Sequence, residues 1–417
     1  MSFDKLGLLP ELLSAVKSRG YEKSTPIQEK SIPSILAGHD VLGNAQTGTG
    51  KTAAFTLPML QLLNRHKPQN KTIRALVLVP TRELAAQVEE CVRDYGKNLD
   101  MEALCIFGGV PINPQLKALK QGRDILVATP GRLIDHLGRG TVKLSNVEIL
   151  ILDEADRMLD MGFIKDINKI MGYLPKKRQT LLFSATHGKD VKKFIAEQLD
   201  NPTVVKVEGE KSAADQVKQV IYFVEKNRKR DLLAHLINKG DWKQVLVFTR
   251  TKHAANKLAL QLEQVNITAS AIHANKSQNA RTKALAAFKA GEVRVLAATD
   301  IAARGIDISN LPHVVNYELP NSPKDYVHRI GRTGRAGVDG VAISLVSKEE
   351  KELLDKVEKF LKWNISRETI CDFPRLGPAQ AYKPQKNAGR GGGGGGNSRP
   401  KSDSNRNQRN NRQRRRK

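Results

Sequence analysis

Short apolar runs separated by Gly, Pro, Ser and Thr recur through the first half of the chain, at 41–42, 75–79, 125–128, 149–152, 181–183 and 204–207. Runs that are apolar at consecutive positions suit strands buried on both faces. Between several of them the apolar positions take a helical period, as at 83–92. This alternation predicts a parallel sheet covered by helices, an α/β domain over residues 1–207. Residues 208–216 are polar and read as a linker, after which the rhythm restarts. Strands are expected near 220–224, 245–248, 293–297, 314–315 and 341–346, with helices at 251–262 and 277–288. A second α/β domain therefore spans 217–370, and two sheets on a short linker imply a cleft. Beyond that the apolar period stops. Arg390 is followed by six glycines, so 371–417 reads as a flexible, basic Gly/Asn/Arg-rich tail.

A length of 417 residues agrees with two domains and a tail. Lys and Arg total 69 against 43 Asp and Glu, a formal charge of +26, which points to polyanionic partners. Residues 381–417 hold twelve Lys or Arg and one acid, so the basic excess is not confined to the tail. No run of about 18 apolar residues exists to cross a membrane, and the N-terminus lacks the pattern of a secretory signal. Three cysteines, Cys91, Cys105 and Cys371, are too few and too scattered for a disulfide framework or a zinc site. A reducing, cytoplasmic setting is expected.

The first candidate chemistry is Ala45-Gln46-Thr47-Gly48-Thr49-Gly50-Lys51-Thr52, between an apolar strand and a segment able to open a helix. In such a P-loop the glycines let backbone N–H groups wrap a phosphate, and the helix terminus adds partial positive charge. Lys51 reaches the terminal phosphates and Thr52 offers a hydroxyl to Mg²⁺. Ala45 stands where the motif has its first glycine, a mild departure. About 100 residues on, the strand at 149–152 delivers Asp153 and Glu154 to its carboxyl edge. Asp153 is the candidate for Mg²⁺ and Glu154 for orienting and deprotonating the attacking water. In the second domain, His328-Arg329-Ile330-Gly331-Arg332-Thr333-Gly334-Arg335 spaces Arg332 and Arg335 so that both can meet one anion when the cleft closes.

Together these motifs resemble the DEAD-box RNA helicases of superfamily 2, whose name Asp153-Glu154-Ala155-Asp156 spells. The resemblance covers residues 1 to about 370 and implies two tandem RecA-like domains that bind ATP and single-stranded RNA jointly. It identifies Gly20 to Gln28 as a Q motif, in which Gln28 reads the adenine edge beside Tyr21 while the upstream Phe3 stacks on the base. It further implies that Ser184 and Thr186, with His328, couple the nucleotide to RNA, and that Asp307 reaches the ribose. RNA contacts fall to Arg82, Gly109, Thr129 and Arg132 in the first domain and to Arg250, Gln278, Arg281 and Thr299 in the second. Contacts of this kind address the backbone of the strand rather than its bases.

The expected activity is RNA-stimulated ATP hydrolysis, with domain closure, strand bending and local, non-processive separation of short duplexes. The alternatives are an RNA-annealing chaperone that needs no turnover, and a DNA helicase or translocase. The tail reads either as a solubilising extension or as a set of mobile phosphate contacts. Within the family the chain looks most like the bacterial RhlE-type group, which implies rRNA or mRNA as target, ribosome-assembly or RNA-decay proteins as partners, and a monomer. One departure is Ala274, where the family commonly has glycine. If that backbone needs a positive φ, the alanine costs about 1 kcal/mol and disturbs Gln278 and Arg281.

Overall fold

The computed structural model describes residues 1–45, 48–66, 71–186, 189–207, 217–303, 311–334 and 340–370. Gln46, Thr47, Asp307 and Arg335, the linker 208–216 and the tail 371–417 lie outside these residues. The first half forms seven strands, β1 (Val41–Asn44), β2 (Ala75–Leu78), β3 (Ala103–Ile106), β4 (Ile125–Ala128), β5 (Ile149–Leu152), β6 (Gln179–Ser184) and β7 (Thr203–Lys206). They stand in the order β3-β4-β2-β5-β6-β1-β7, with parallel pairing throughout. The second half adds β8 (Lys218–Phe223), β9 (Val245–Thr249), β10 (Ala269–Ile272), β11 (Val295–Thr299), β12 (His313–Asn316), β13 (Val341–Val346) and β14 (Ser366–Glu368). Their order, β10-β11-β9-β12-β13-β8-β14, repeats that of the first sheet when each is counted from its own first strand.

The pattern of apolar residues explains why these segments are strands at the centre of a sheet. In β2, β4 and β5 all four residues are buried. Successive side chains point to opposite faces. Ile149 and Ile151 therefore join one core cluster and Leu150 and Leu152 the other, and each full burial contributes about 1.5–3 kcal/mol. Register then fixes where the chain leaves the sheet. Leu152 stands level with Leu78 and Leu182, and Asn44 with Ser184, so the loops after these strands emerge along one carboxyl edge.

Candidate nucleotide and RNA site

The strand order divides that edge into two flanks. On one side stand β5, β6 and β1, followed by the acidic pair, Ser184 to Thr186, and the glycine-rich loop. On the other stand β3, β4 and β2, followed by Gly109, Thr129 with Arg132, and Arg82. In the second sheet Arg250 follows β9 and Thr299 ends β11, which places them on the corresponding flank. The nucleotide candidates and the RNA candidates therefore occupy different halves of one edge, the edge where open parallel sheets bind ligands.

Gly50 caps the helix Lys51–Asn64 with φ 90, a left-handed conformation. Gln28 closes on it, its Nε2 donating to the Gly50 carbonyl at 3.1 Å while its Oε1 accepts from the Thr25 N–H at 2.9 Å. A Cβ at Gly50 would lie 2.5 Å from that nitrogen, so glycine is required twice over. Each end of the Gln28 amide keeps one further hydrogen-bonding position for a base. Lys51 is buried at the start of the helix and Thr52 is half-buried beside it. Phe3, expected to stack on the base, is 5% exposed and packed in the core with Leu6 and Ile32, because its short helical turn lies against the helix Pro26–Leu36. Tyr21, at 50% exposure, is the aromatic that remains open to a flat ring.

Asp153 is 2% exposed. Burial raises its pKa to about 6, with the charges of Glu154 and Asp156 adding to the rise and Lys51 opposing it. Glu154 has φ 53, and its N–H donates to Asp153 Oδ1 at 2.9 Å. Arg157 Nη1 donates to Glu154 Oε2, also at 2.9 Å. Asp156 accepts from the Thr186 hydroxyl at 2.9 Å, while Ser184 Oγ donates to the Thr186 carbonyl at 2.7 Å. Of the two coupling candidates, Thr186 reaches the acidic motif through its hydroxyl and Ser184 fixes the turn that holds Thr186.

On the other flank, Thr81 caps the helix Arg82–Tyr95. The Arg82 guanidinium sits against Gly109, where φ is +75 and a Cβ would come within 2.3 Å of three of its atoms. Arg132 is 9% exposed and donates Nη2 to the Val110 carbonyl at 2.9 Å. Its Nε and Nη1 have no hydrogen-bond partner among the described residues, although Asp135 lies 3.7 Å from Nε. Buried donors of this kind await an acceptor. Thr129 and Thr299 are each 9% exposed, and Arg250 is exposed with its N–H donating to Glu318.

Gln278 and Arg281, expected to face RNA, instead grip Glu83 of the first half, through Gln278 Nε2 at 3.0 Å and Arg281 Nη2 at 3.0 Å. They join the flanks that carry the RNA candidates in the two sheets, and Glu83 is a residue whose part no sequence spacing reveals. Arg329 is another: it donates to both Asp300 oxygens at 2.6 and 2.7 Å and stands 5.0 Å over the Phe248 ring. Asp300, the residue after the RNA candidate Thr299, is thus occupied by Arg329. His328 lies on the same helix, Pro323–Ile330, and Arg332 follows it, buried. Ala274 is absent from the residues with positive φ, so the departure from glycine costs no backbone strain, and neighbouring His273 is held by Asn256 at 3.1 Å.

Residues 25–194 match the DEAD/DEAH box helicase family, and 228–337 match the helicase conserved C-terminal domain. The ATP-dependent RNA helicase CshA of Limosilactobacillus reuteri is 44% identical over 362 residues, covering 87% of this chain and 72% of that one. The chain belongs to the DEAD-box RNA helicases. CshA of Geobacillus kaustophilus is 43% identical over 366 residues, covering 88% of this chain and 78% of that one. Among solved structures, Saccharomyces cerevisiae Dbp5 bound to RNA and ADP BeF3 matches with a TM-score of 0.77 at 33% identity, covering 88% of this chain and 95% of that one. Both sheets of this helicase are thus RecA-like domains, and it is an ATP-dependent RNA helicase, an RNA-dependent ATPase. The relatives bear the name CshA rather than RhlE, which corrects the expected subgroup. That expectation used the near absence of an extension before Phe3, the core run Ala302 to Asp307 and the short basic tail. The role in ribosome assembly or RNA turnover rested on the same subgroup and loses that support. No described helix is long and apolar enough to cross a membrane.

Proposed function

We propose that this helicase turns over ATP on the β1, β5 and β6 flank only while its two domains hold single-stranded RNA along the β2, β3 and β4 flank and its counterpart in the second sheet. The observation that carries this reading is the bridge from Gln278 and Arg281 to Glu83. It ties the two RNA flanks together, so a strand gripping both sides favours the same closed arrangement that brings Arg332 and Arg335 toward the phosphates. Lys51 and the helix terminus behind Gly50 bind the phosphates, Gln28 reads the adenine, and Tyr21 stacks on it. Glu154 orients the attacking water. Asp153 and Thr52 would hold Mg²⁺. A buried carboxyl with a raised pKa suits a cation that takes one or two protein carboxylates and completes its shell with phosphate and water. That ion, when bound, supplies charge neutralisation at the phosphate oxygens.

Arg82, Thr129, Arg132, Arg250 and Thr299 then contact the strand's backbone, and the two unpartnered donors of Arg132 have an acceptor for the first time. Bending of the held strand displaces its complement, so short duplexes separate locally without travel along the RNA. The test is steady-state ATP hydrolysis by the full chain with single-stranded RNA, with single-stranded DNA and with neither. A rate stimulated at least about tenfold by RNA and little by DNA is expected, the size of an ordinary coupling between two sites. An equal rate in all three rejects the coupling.

A further inference from the structure

We propose that Arg157 is the positioning residue for Glu154, fixing its carboxylate at the angle from which it directs the attacking water. The inference rests on the reading of Glu154 as the group that orients that water. Its basis is a buried pair contained in a single helical turn. Arg157 Nη1 donates to Glu154 Oε2 at 2.9 Å, and the two side chains are 6% and 5% exposed. Glu154 immediately precedes the helix Ala155–Asp160 with φ 53 and ψ 47, a left-handed conformation that a residue with a Cβ seldom adopts. Strain of this kind persists where the surroundings hold it, and it gathers at functional sites. The group that takes its carboxylate is Arg157, three residues on in the helix that Glu154 precedes.

The division of the carboxylate is what suits it to catalysis. Oε2 is taken by the guanidinium, while Oε1 has no protein partner among the described residues and is left to accept a proton from water. Arg157 in turn makes no other side-chain hydrogen bond among those residues, so anchoring some second element does not account for its burial. The remaining catalytic groups come from separate elements, Lys51 from the helix after β1 and Arg332 from the other domain, and Arg332 arrives only on closure. A holder on the helix that starts at the next residue sets its angle before closure, so no reorientation is needed at the moment of reaction.

The test compares kcat and KM for ATP, at saturating single-stranded RNA, in the full chain carrying Arg157→Met, Arg157→Lys, Glu154→Gln, or Arg157→Met with Glu154→Gln. Arg157→Met is expected to lower kcat about tenfold or more while KM stays within about twofold, the pattern of an interaction that counts only in the transition state. Arg157→Lys should recover part of the loss. On the Glu154→Gln background Arg157→Met should add nothing, because no base is left to position. If Arg157→Met does not fold, the same split is read on Arg157→Gln. An unchanged kcat in the folded variant, a KM that moves as far as kcat, or a full further loss on the Glu154→Gln background each overturns the proposal. Undiminished turnover in Glu154→Gln alone would instead remove the reading beneath it, so the two failures are distinguishable.

Discussion

The two domains share one strand order, and the loop after the first strand shows how the same position came to do different work. In the first domain β1 leads to the glycine-rich loop and the helix opens at Lys51. In the second, β8 leads to a 3-10 turn, Lys226–Arg228, and the helix opens at Lys229. Both lysines are buried, at 6% and 2% exposure. Lys229 is satisfied from within the domain: its Nζ donates to the Tyr317 carbonyl at 2.9 Å and to the Glu350 carboxylate, which also accepts from the Leu319 N–H at 3.0 Å. Lys51 forms no hydrogen bond or ion pair among the described residues, and acts on Asp153 through its charge alone. A buried ammonium needs an anion. Where the chain supplies that anion the lysine is a strut, and where the described residues supply none, the position suits the proposed phosphate site.

Breaking each lysine should therefore give opposite results. Lys229→Met leaves Glu350 buried without its counter-charge and is expected to cost about 3–5 kcal/mol of stability, read from urea unfolding. Adding Glu350→Gln should restore part of it, since the neutral amide leaves no unpaired charge and its oxygen can still accept from the Leu319 N–H. Lys51→Met should leave the urea midpoint nearly unchanged while kcat falls roughly 10²- to 10³-fold, the cost of removing one donor aimed at developing charge. Equal destabilisation by the two substitutions would erase the distinction between strut and site.

The same contrast explains what could be read in the sequence. Central strands such as β2, β4 and β5 declare themselves because burial on both faces demands four apolar residues in a row. The three strands left unread, β3, β10 and β14, are all at sheet edges. β14, Ser366–Glu368, is wholly exposed and needs no apolar run, whereas β3 carries one, Ala103 to Ile106, but is only partly buried over Ala103 to Cys105. The glycine-rich loop and the acidic pair stand out in the sequence because the chemistry expected of them requires particular residues at fixed spacing along the chain. Glu83 with Arg281, Asp300 with Arg329, and Phe3 in the core depend on partners far away in sequence. No local pattern records those partnerships. Arg157 lies only three residues from Glu154, yet the left-handed φ that brings the two together is a property of the folded turn.

A smaller effect is expected at Asp153, the first-domain residue whose counterpart after β12 is the uncharged Tyr317. Its folded-state pKa, about 6, lies above the unfolded value. Its carboxyl therefore favours the fold fully below about pH 4, and that contribution is lost as pH rises through 6. Above that, the buried charge weighs against the ligand-free fold. Asp153→Asn should then stabilise the ligand-free protein by about 1–3 kcal/mol at pH 8, with the gain shrinking toward pH 5. Urea unfolding at the two pH values measures it. A gain of the same size at both would mean that charge is not the cause.

The smallest predicted effect concerns the contact of Gln278 and Arg281 with Glu83, proposed to make the two domains act together on RNA. Glu83→Gln keeps the shape of the side chain but removes the charge facing Arg281, whose side chain is 7% exposed. The closed arrangement loses part of a charge-assisted pair without losing any residue that contacts ATP, so the cost should fall on the coupling between RNA and turnover. A loss of about 1 kcal/mol would raise the RNA concentration for half-maximal stimulation roughly five- to tenfold, and kcat at saturating RNA should change much less. Titrating RNA against ATPase rate in the two proteins separates the outcomes. A fall in kcat with the half-stimulating RNA concentration unchanged would assign Glu83 to the chemistry of one domain, and the bridge to Gln278 and Arg281 would no longer explain why hydrolysis waits for RNA.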